Sequence, residues 1–228
     1  MRKTSFILLL LGSALGSANG ADFKTLVISS VNGAAVLQRL GPALAPSGGA
    51  CRIYYSTACE AKDESRIPSP EVNARPSKGT TGLSALRDIF GNEKQVTVSQ
   101  DRSGMIRITI GQPVSTLLRT KIHSLHFNVV EQYNGELAVW AVLNSKQVNA
   151  AMRALGLEVP VIVFGGSVNV PEEARRLRHL PASIKNVTAD QALGIVARTF
   201  AGIVLYQTCS KRNGKGLVSL DFVQVADL

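Results

Sequence analysis

Gln95-Val-Thr-Val-Ser-Gln-Asp-Arg-Ser-Gly-Met-Ile-Arg-Ile-Thr-Ile110 decides the fold class of this 228-residue chain. Gln95–Ser99 alternates apolar and polar side chains, the period of a half-buried strand. Asp101-Arg-Ser-Gly104 is turn chemistry. Met105–Ile110 predicts the returning strand, with Ile106, Ile108 and Ile110 on one face and Met105, Arg107 and Thr109 on the other. Helical spacing brackets this pair. Before it, Leu83, Leu86 and Phe90 recur at helical intervals and Gly91 supplies a stop, which predicts a helix over 82–90. After it, Pro113 suits a first helical position, and Val114, Leu117, Leu118 and Ile122 share one face. An antiparallel pair flanked by helices defines an α+β class.

Toward the C-terminus, His126–Gln132 and Glu136–Leu143 flank Asn134-Gly135, which predicts a hairpin closed by a type I′ turn. Ser145–Leu155 reads as a helix ended by Gly156. Val159–Phe164 is an apolar strand before Gly165-Gly166. Pro171-Glu-Glu173 opens a helix with acids in its first turn and Arg175, Arg176 and Arg178 toward its end, as the helix dipole favours. Ala182–Lys185 is a strand. Thr188 caps a further helix, with Gln191 in capping-box position and Ala192, Leu193, Val196 and Phe200 as its apolar stripe. Ile203–Thr208 and Leu217–Val225 predict a closing hairpin across Ser210–Gly216. The order strand, helix, hairpin thus occurs over 106–143 and again over 183–225, a weak internal repeat in which Ile110 matches Ile184 and Leu118 matches Leu193.

The N-terminal end has a different character. Arg2 and Lys3 precede the apolar run Phe6–Leu11, and Ala18-Asn-Gly20 puts small residues where a signal peptidase reads. The run is too short to cross a ~30 Å hydrocarbon core, so residues 1–20 are expected to be a cleaved signal peptide. Lys24–Ser29 is a strand candidate, and Ala34–Leu40 a helix closed by Gly41-Pro42. Residues 61–81, rich in Pro, Ser and Gly, read as a linker. The expected organisation is a signal peptide (1–20), an N-terminal region (21–80), and two small modules of mixed or antiparallel sheet with packed helices (81–144 and 145–228).

A composition of 45% hydrophobic and 18% charged residues excludes a disordered chain. The formal charge of +9, of which Arg2 and Lys3 leave with the signal, favours acidic partners: another protein, an acidic polymer or lipid head groups. Aromatics, at 5%, fall within predicted strands, which argues against a stacking platform for nucleic acid. The basic tip Lys211, Arg212 and Lys215, and the helix-end Arg175, Arg176 and Arg178, are the candidate partner-binding residues. Export permits disulfides. Cys51 and Cys59 bracket a segment poor in regular pattern, so their pairing is favoured, although Cys209 allows two other pairings. His123 and His126 straddle an expected helix end, and a shared metal would need a third ligand such as Glu131. Gly165-Gly166-Ser167 lacks the last glycine of a nucleophile elbow. No Gly-Lys-Ser or Gly-Lys-Thr sequence marks a phosphate loop. No catalytic residue, metal site or cofactor is therefore assigned.

Leu83-Ser-Ala-Leu-Arg-Asp-Ile-Phe90, Val96-Thr-Val98, Ser103-Gly104, Ile106-Arg-Ile108 and Val114-Ser-Thr-Leu-Leu118 resemble the short N-terminal domain shared by secretins and TonB-dependent receptors. Ser183–Val187, Ala192–Phe200 and Ile203–Tyr206 look like a second, related module. The resemblance implies periplasmic docking modules without catalysis. The chain has no following run of amphipathic strands with which to form a pore, so the implication is an accessory subunit of an envelope machine: a secretion system, a type IV pilus or a conjugation apparatus. The competing expectations are a secreted hydrolase with an unrecognised site and a basic module for acidic polymer or lipid. Location is expected to be periplasmic or secreted.

Overall fold

The strand that organises the molecule, β2 (Cys51–Ala58), lies in the segment whose pattern looked least regular. The structure is a computed structural model that describes residues 25–29, 32–59, 66–74, 81–91, 93–111, 116–159, 178–211 and 215–224. In it β2 runs parallel to β5 (Ile106–Gly111) on one side and to β9 (Gly202–Ser210) on the other. Antiparallel β4 (Val96–Gln100) lies outside β5, and antiparallel β10 (Gly216–Gln224) outside β9. The two-residue β7 (Leu157–Glu158) ends the six-stranded sheet, in the order β4-β5-β2-β9-β10-β7. The α+β class holds. Strands from both expected modules, and β2 from the region before them, join in this one sheet.

Side-chain alternation sends every second residue to each face. Val98, Ile108, Ile53 and Leu205 are register neighbours across four strands and pack on one side. That side is covered by α1 (Gly33–Leu44), α2 (Gly82–Phe90) and the antiparallel ribbon β1 (Thr25–Val27) with β3 (Glu71–Asn73). Tyr54, Val204, Tyr206, Val218 and Leu220 face the other side. There they meet α4 (Gly135–Leu143), α5 (Lys146–Ala154), α6 (Ala189–Thr199) and the antiparallel ribbon β6 (Lys121–His126) with β8 (Ser183–Thr188). A central strand covered on both faces need not alternate polar with apolar, which is why β2 shows no amphipathic period.

Several local expectations hold. The helix over 82–90, the strand pair around Asp101–Gly104 and the closing hairpin all form. Gly104 takes φ +79° in that first turn, a conformation open to glycine. Thr188 and Gln191 close the capping box at 3.1 and 2.8 Å.

Others are corrected. The hairpin expected at His126–Leu143 is instead two helices, α3 (Val129–Tyr133) and α4. Asn134 is not a turn residue but the N-cap of α4, its side chain accepting the Leu137 N–H at 3.0 Å. Gly135 is small because the Phe222 ring lies where its Cβ would be. Asn128 and Glu131 form a second capping box. A wholly apolar run such as Leu137–Leu143 fits strand and helix alike, and the caps at its N-terminal end decided. Of the helix expected over 113–122, the described residues form a 3-10 turn at Thr116–Arg119 followed by β6. The proposed repeat therefore fails, since 106–143 has no hairpin to match β9 and β10. The helix expected to stop at Gly41-Pro42 runs through them, because Ala43 and Leu44 continue the buried stripe of Val36 and Leu40. An interior proline costs about 3 kcal/mol, and that burial offsets it. The segment expected as linker contributes β3. The expected signal peptide, most of the Val159–Phe164 strand and the helix from Pro171 lie outside the described residues.

Candidate functional site

Two places bear on function: a buried ionic cluster at the centre of the sheet and the sheet's first edge. The cluster begins with a problem of register. Arg52 and Arg107 are direct neighbours on β2 and β5, and like charges set side by side on a sheet repel. Asp190, in the first turn of α6, answers both. Its Oδ1 accepts the Tyr54 hydroxyl and lies 2.9 Å from Arg52 Nη1, and its Oδ2 lies 2.5 Å from Arg107 Nη2. Arg52 Nη1 also donates to the Asp190 carbonyl at 2.9 Å, and Nη2 reaches Asp101 Oδ2 at 2.6 Å. Arg107 stacks 5.5 Å above the Tyr54 ring. Gly194 gives this room, because a Cβ there would sit 3.2 Å from Arg52 Nη1.

Asp101 couples the cluster to the β4–β5 turn. Its Oδ1 accepts the Ser103 N–H (2.9 Å), the Ser103 hydroxyl (2.6 Å) and the Met105 N–H (3.1 Å). Arg198 of α6 donates to the same Ser103 hydroxyl at 2.6 Å. Burial pushes the Asp101 carboxyl up, but the Ser103 and Met105 hydrogen bonds and the Arg52 charge outweigh it and hold the group below the usual carboxylate range. Burial raises the Tyr54 phenol well above its ordinary value, with Asp190 adding to the effect against Arg52, so it remains a neutral donor. The carboxylates pair with the Nη groups of both arginines, while among the described residues the buried Nε of Arg52 and of Arg107 has no hydrogen-bond partner, and Arg52 is only 2% exposed. The arrangement fastens α6 to β2, β5 and the β4–β5 turn.

The edge is built differently. Gly111 N–H donates to the Gln95 carbonyl and Asp101 N–H to the Met105 carbonyl, both at 3.0 Å. These two bonds set the phase of the antiparallel ladder, in which hydrogen-bonded pairs recur every second residue. Thr97 and Ser99 therefore bond to β5, while the backbone groups of Val98 and Gln100 and the carbonyl of Val96 point away from it. No strand pairs with that side among the described residues.

The sequence-assigned residues scatter. The disulfide joins Cys59 to Cys209, not to Cys51. Adjacent strands β2 and β9 bring the two Cα atoms within 4.9 Å, although 150 residues separate them in sequence. Cys51 is a buried thiol pushed up to about 12, chiefly by burial, with Arg52 opposing. That leaves no thiolate for nucleophilic chemistry near neutral pH. Lys211 and Lys215 both approach Glu158 at 3.4 Å, and their hydrogen bonds lower the Glu158 carboxyl. Arg178 is exposed, while Arg175, Arg176 and Arg212 lie outside the described residues. His123 and His126 are exposed on β6, and Glu131 serves its helix cap. Among the described residues no His, Cys, Asp and Glu group is arranged for a metal ion. An open cleft of about 210 Å³ beside the disulfide is lined by Ser56, Leu155, Leu157, Thr208 and Lys215.

Arg52, Tyr54, Asp101, Arg107 and Asp190 carried no joint signal in the sequence, since Arg52 and Asp190 stand 138 positions apart. Arg107 alone gave a hint, as a charge inside a strand. Among the described residues no helix is long and apolar enough to cross a membrane. The Cys59–Cys209 bond belongs to the chemistry of oxidising compartments. Comparison with protein-family models, curated proteins and solved structures finds no match to this chain.

Proposed function

We propose that this chain is a non-enzymatic interaction protein of the periplasm, an accessory subunit of an envelope machine such as a secretion system, a type IV pilus or a conjugation apparatus. The observation that carries the reading is the side of β4 that no strand pairs among the described residues. Helices and ribbons cover both faces of the sheet, and an unpaired strand edge is a ready template for a second chain. The disulfide and the signal-like residues 1–20 support export. The sequence likeness of 83–108 to periplasmic docking domains supports the kind of assembly. The basic tip lends less to an acidic-polymer reading, because Glu158 already engages Lys211 and Lys215.

The test is genetic and biochemical together. Deleting the gene is expected to impair secretion, piliation or transfer, and affinity-tagged chain is expected to co-purify identified components of that machine from envelope fractions. Intact function in the deletion strain, with no such component recovered, would overturn the reading.

A further inference from the structure

We propose that the free edge of β4 receives an extended, acidic segment of a partner protein as an added strand. This rests on the reading of the chain as a docking subunit and names the chemistry of what docks. The first support is the ladder phase. The N–H and carbonyl of Val98 and of Gln100, with the carbonyl of Val96, form one row directed away from β5. The Val96 N–H is withdrawn from that row by the Glu93 carbonyl at 3.0 Å. The Gln100 side chain turns back to the Gly104 carbonyl at 2.9 Å, away from its own backbone groups. Over Val96–Gln100 the strand carries no charge, no proline and no bulge, the devices by which edges are usually blunted.

The second support is the charge at the two ends. Both acids there are occupied. Glu93 accepts Asn73 through the backbone N–H at 3.1 Å and the side-chain amide at 2.5 Å, and Asp101 holds Arg52. Both bases are exposed: among the described residues Lys94 and Arg102 make no hydrogen bond or ion pair. The edge is thus a short uncharged ladder, roughly 14 Å at 3.4 Å per residue, with an unspent cation at each end. A second copy fits poorly, because antiparallel pairing centred on Val98 sets Lys94 against Arg102. An extended segment with a β-branched centre and carboxylates at both ends fits the ladder and both cations.

The test uses the full chain and two synthetic peptides. One has a Thr-Val-Thr-Val-Thr centre with glutamates at both ends, and the other has lysines in their place. The glutamate peptide is expected to bind and to slow hydrogen exchange at the Val98 and Gln100 amides. N-methylating its alternate amides is expected to abolish binding. The double variant Lys94→Glu, Arg102→Glu is expected to weaken binding roughly tenfold, two exposed charge pairs being reversed. Equal binding of the lysine peptide, or protection that falls elsewhere, would overturn the proposal. Failure of both peptides while machine components still co-purify removes this site and leaves the docking reading standing. Failure of both experiments removes both.

Discussion

The centre and the edge of the same sheet handle arginine in opposite ways. Arg52 stands in β2, 2% exposed, with β5 and β9 paired on either side and α6 packed over it. Arg102 stands at the end of β4 in solvent. At the centre a guanidinium is tolerated because Asp101, Asp190 and the Asp190 carbonyl surround it. At the edge water performs the same service at no structural cost. A buried charge whose partners are fixed is committed to holding the fold. An exposed, unpaired one remains available to a partner.

The contrast is sharpest for stability. Arg52→Ala leaves two carboxylates short of a partner beneath α6 and opens a void, so it is expected to cost about 3–5 kcal/mol in denaturant unfolding. A cost under about 1 kcal/mol would mean that the cluster does not fasten the helix. Next comes the covalent tie at the same centre. Cys59→Ser removes a bridge across 150 residues and is expected to lower stability by about 2–5 kcal/mol. Equal melting temperatures with and without reductant would contradict it.

Asp101 links the two regions, and its effect is smaller. Its folded pKa is depressed, so its contribution is complete above the ordinary value of 3.8 and is lost as pH falls through the lowered one. Stability should therefore be flat near neutrality, the Asp101 contribution should fall away below about pH 4, and Asp101→Asn should flatten that acid limb. The side chain is 32% exposed, so solvent screening keeps this contribution under about 1 kcal/mol. An unchanged acid limb in the variant would sink the assignment. The smallest effect belongs to the edge. Lys94→Glu with Arg102→Glu is expected to move stability by no more than about 0.5 kcal/mol, even as it weakens peptide binding. A loss comparable to that of Arg52→Ala would erase the distinction between centre and edge.

Legibility in the sequence followed the same division. The edge pair β4 and β5, helix α2, the capped helix α6 and the hairpin β9–β10 were readable because each carries its period, stop or cap within its own residues. The Asn128-x-x-Glu131 box and the Asn134 cap were also present in the sequence. The Asn134-Gly135 pair, which resembles a hairpin turn, was read in their place. The central strand was not readable, because burial on both faces erases the alternation that marks a strand. Nor was the ionic cluster, whose members come from β2, β5, the β4–β5 turn and α6.

By itself, the sequence determined the α+β class, most of the local elements, and the uncharged stretch Val96–Gln100 with Lys94 and Arg102 beside it. Only the tertiary structure decided that Cys209, and not Cys51, is the partner of Cys59. It alone decided that Asp190 neutralises two neighbouring arginines, and that one side of β4 has no paired strand among the described residues. The reason is physical. Periodicity and capping act over a few residues, whereas strand order selects partners 49 to 150 positions away through packing that no local pattern encodes.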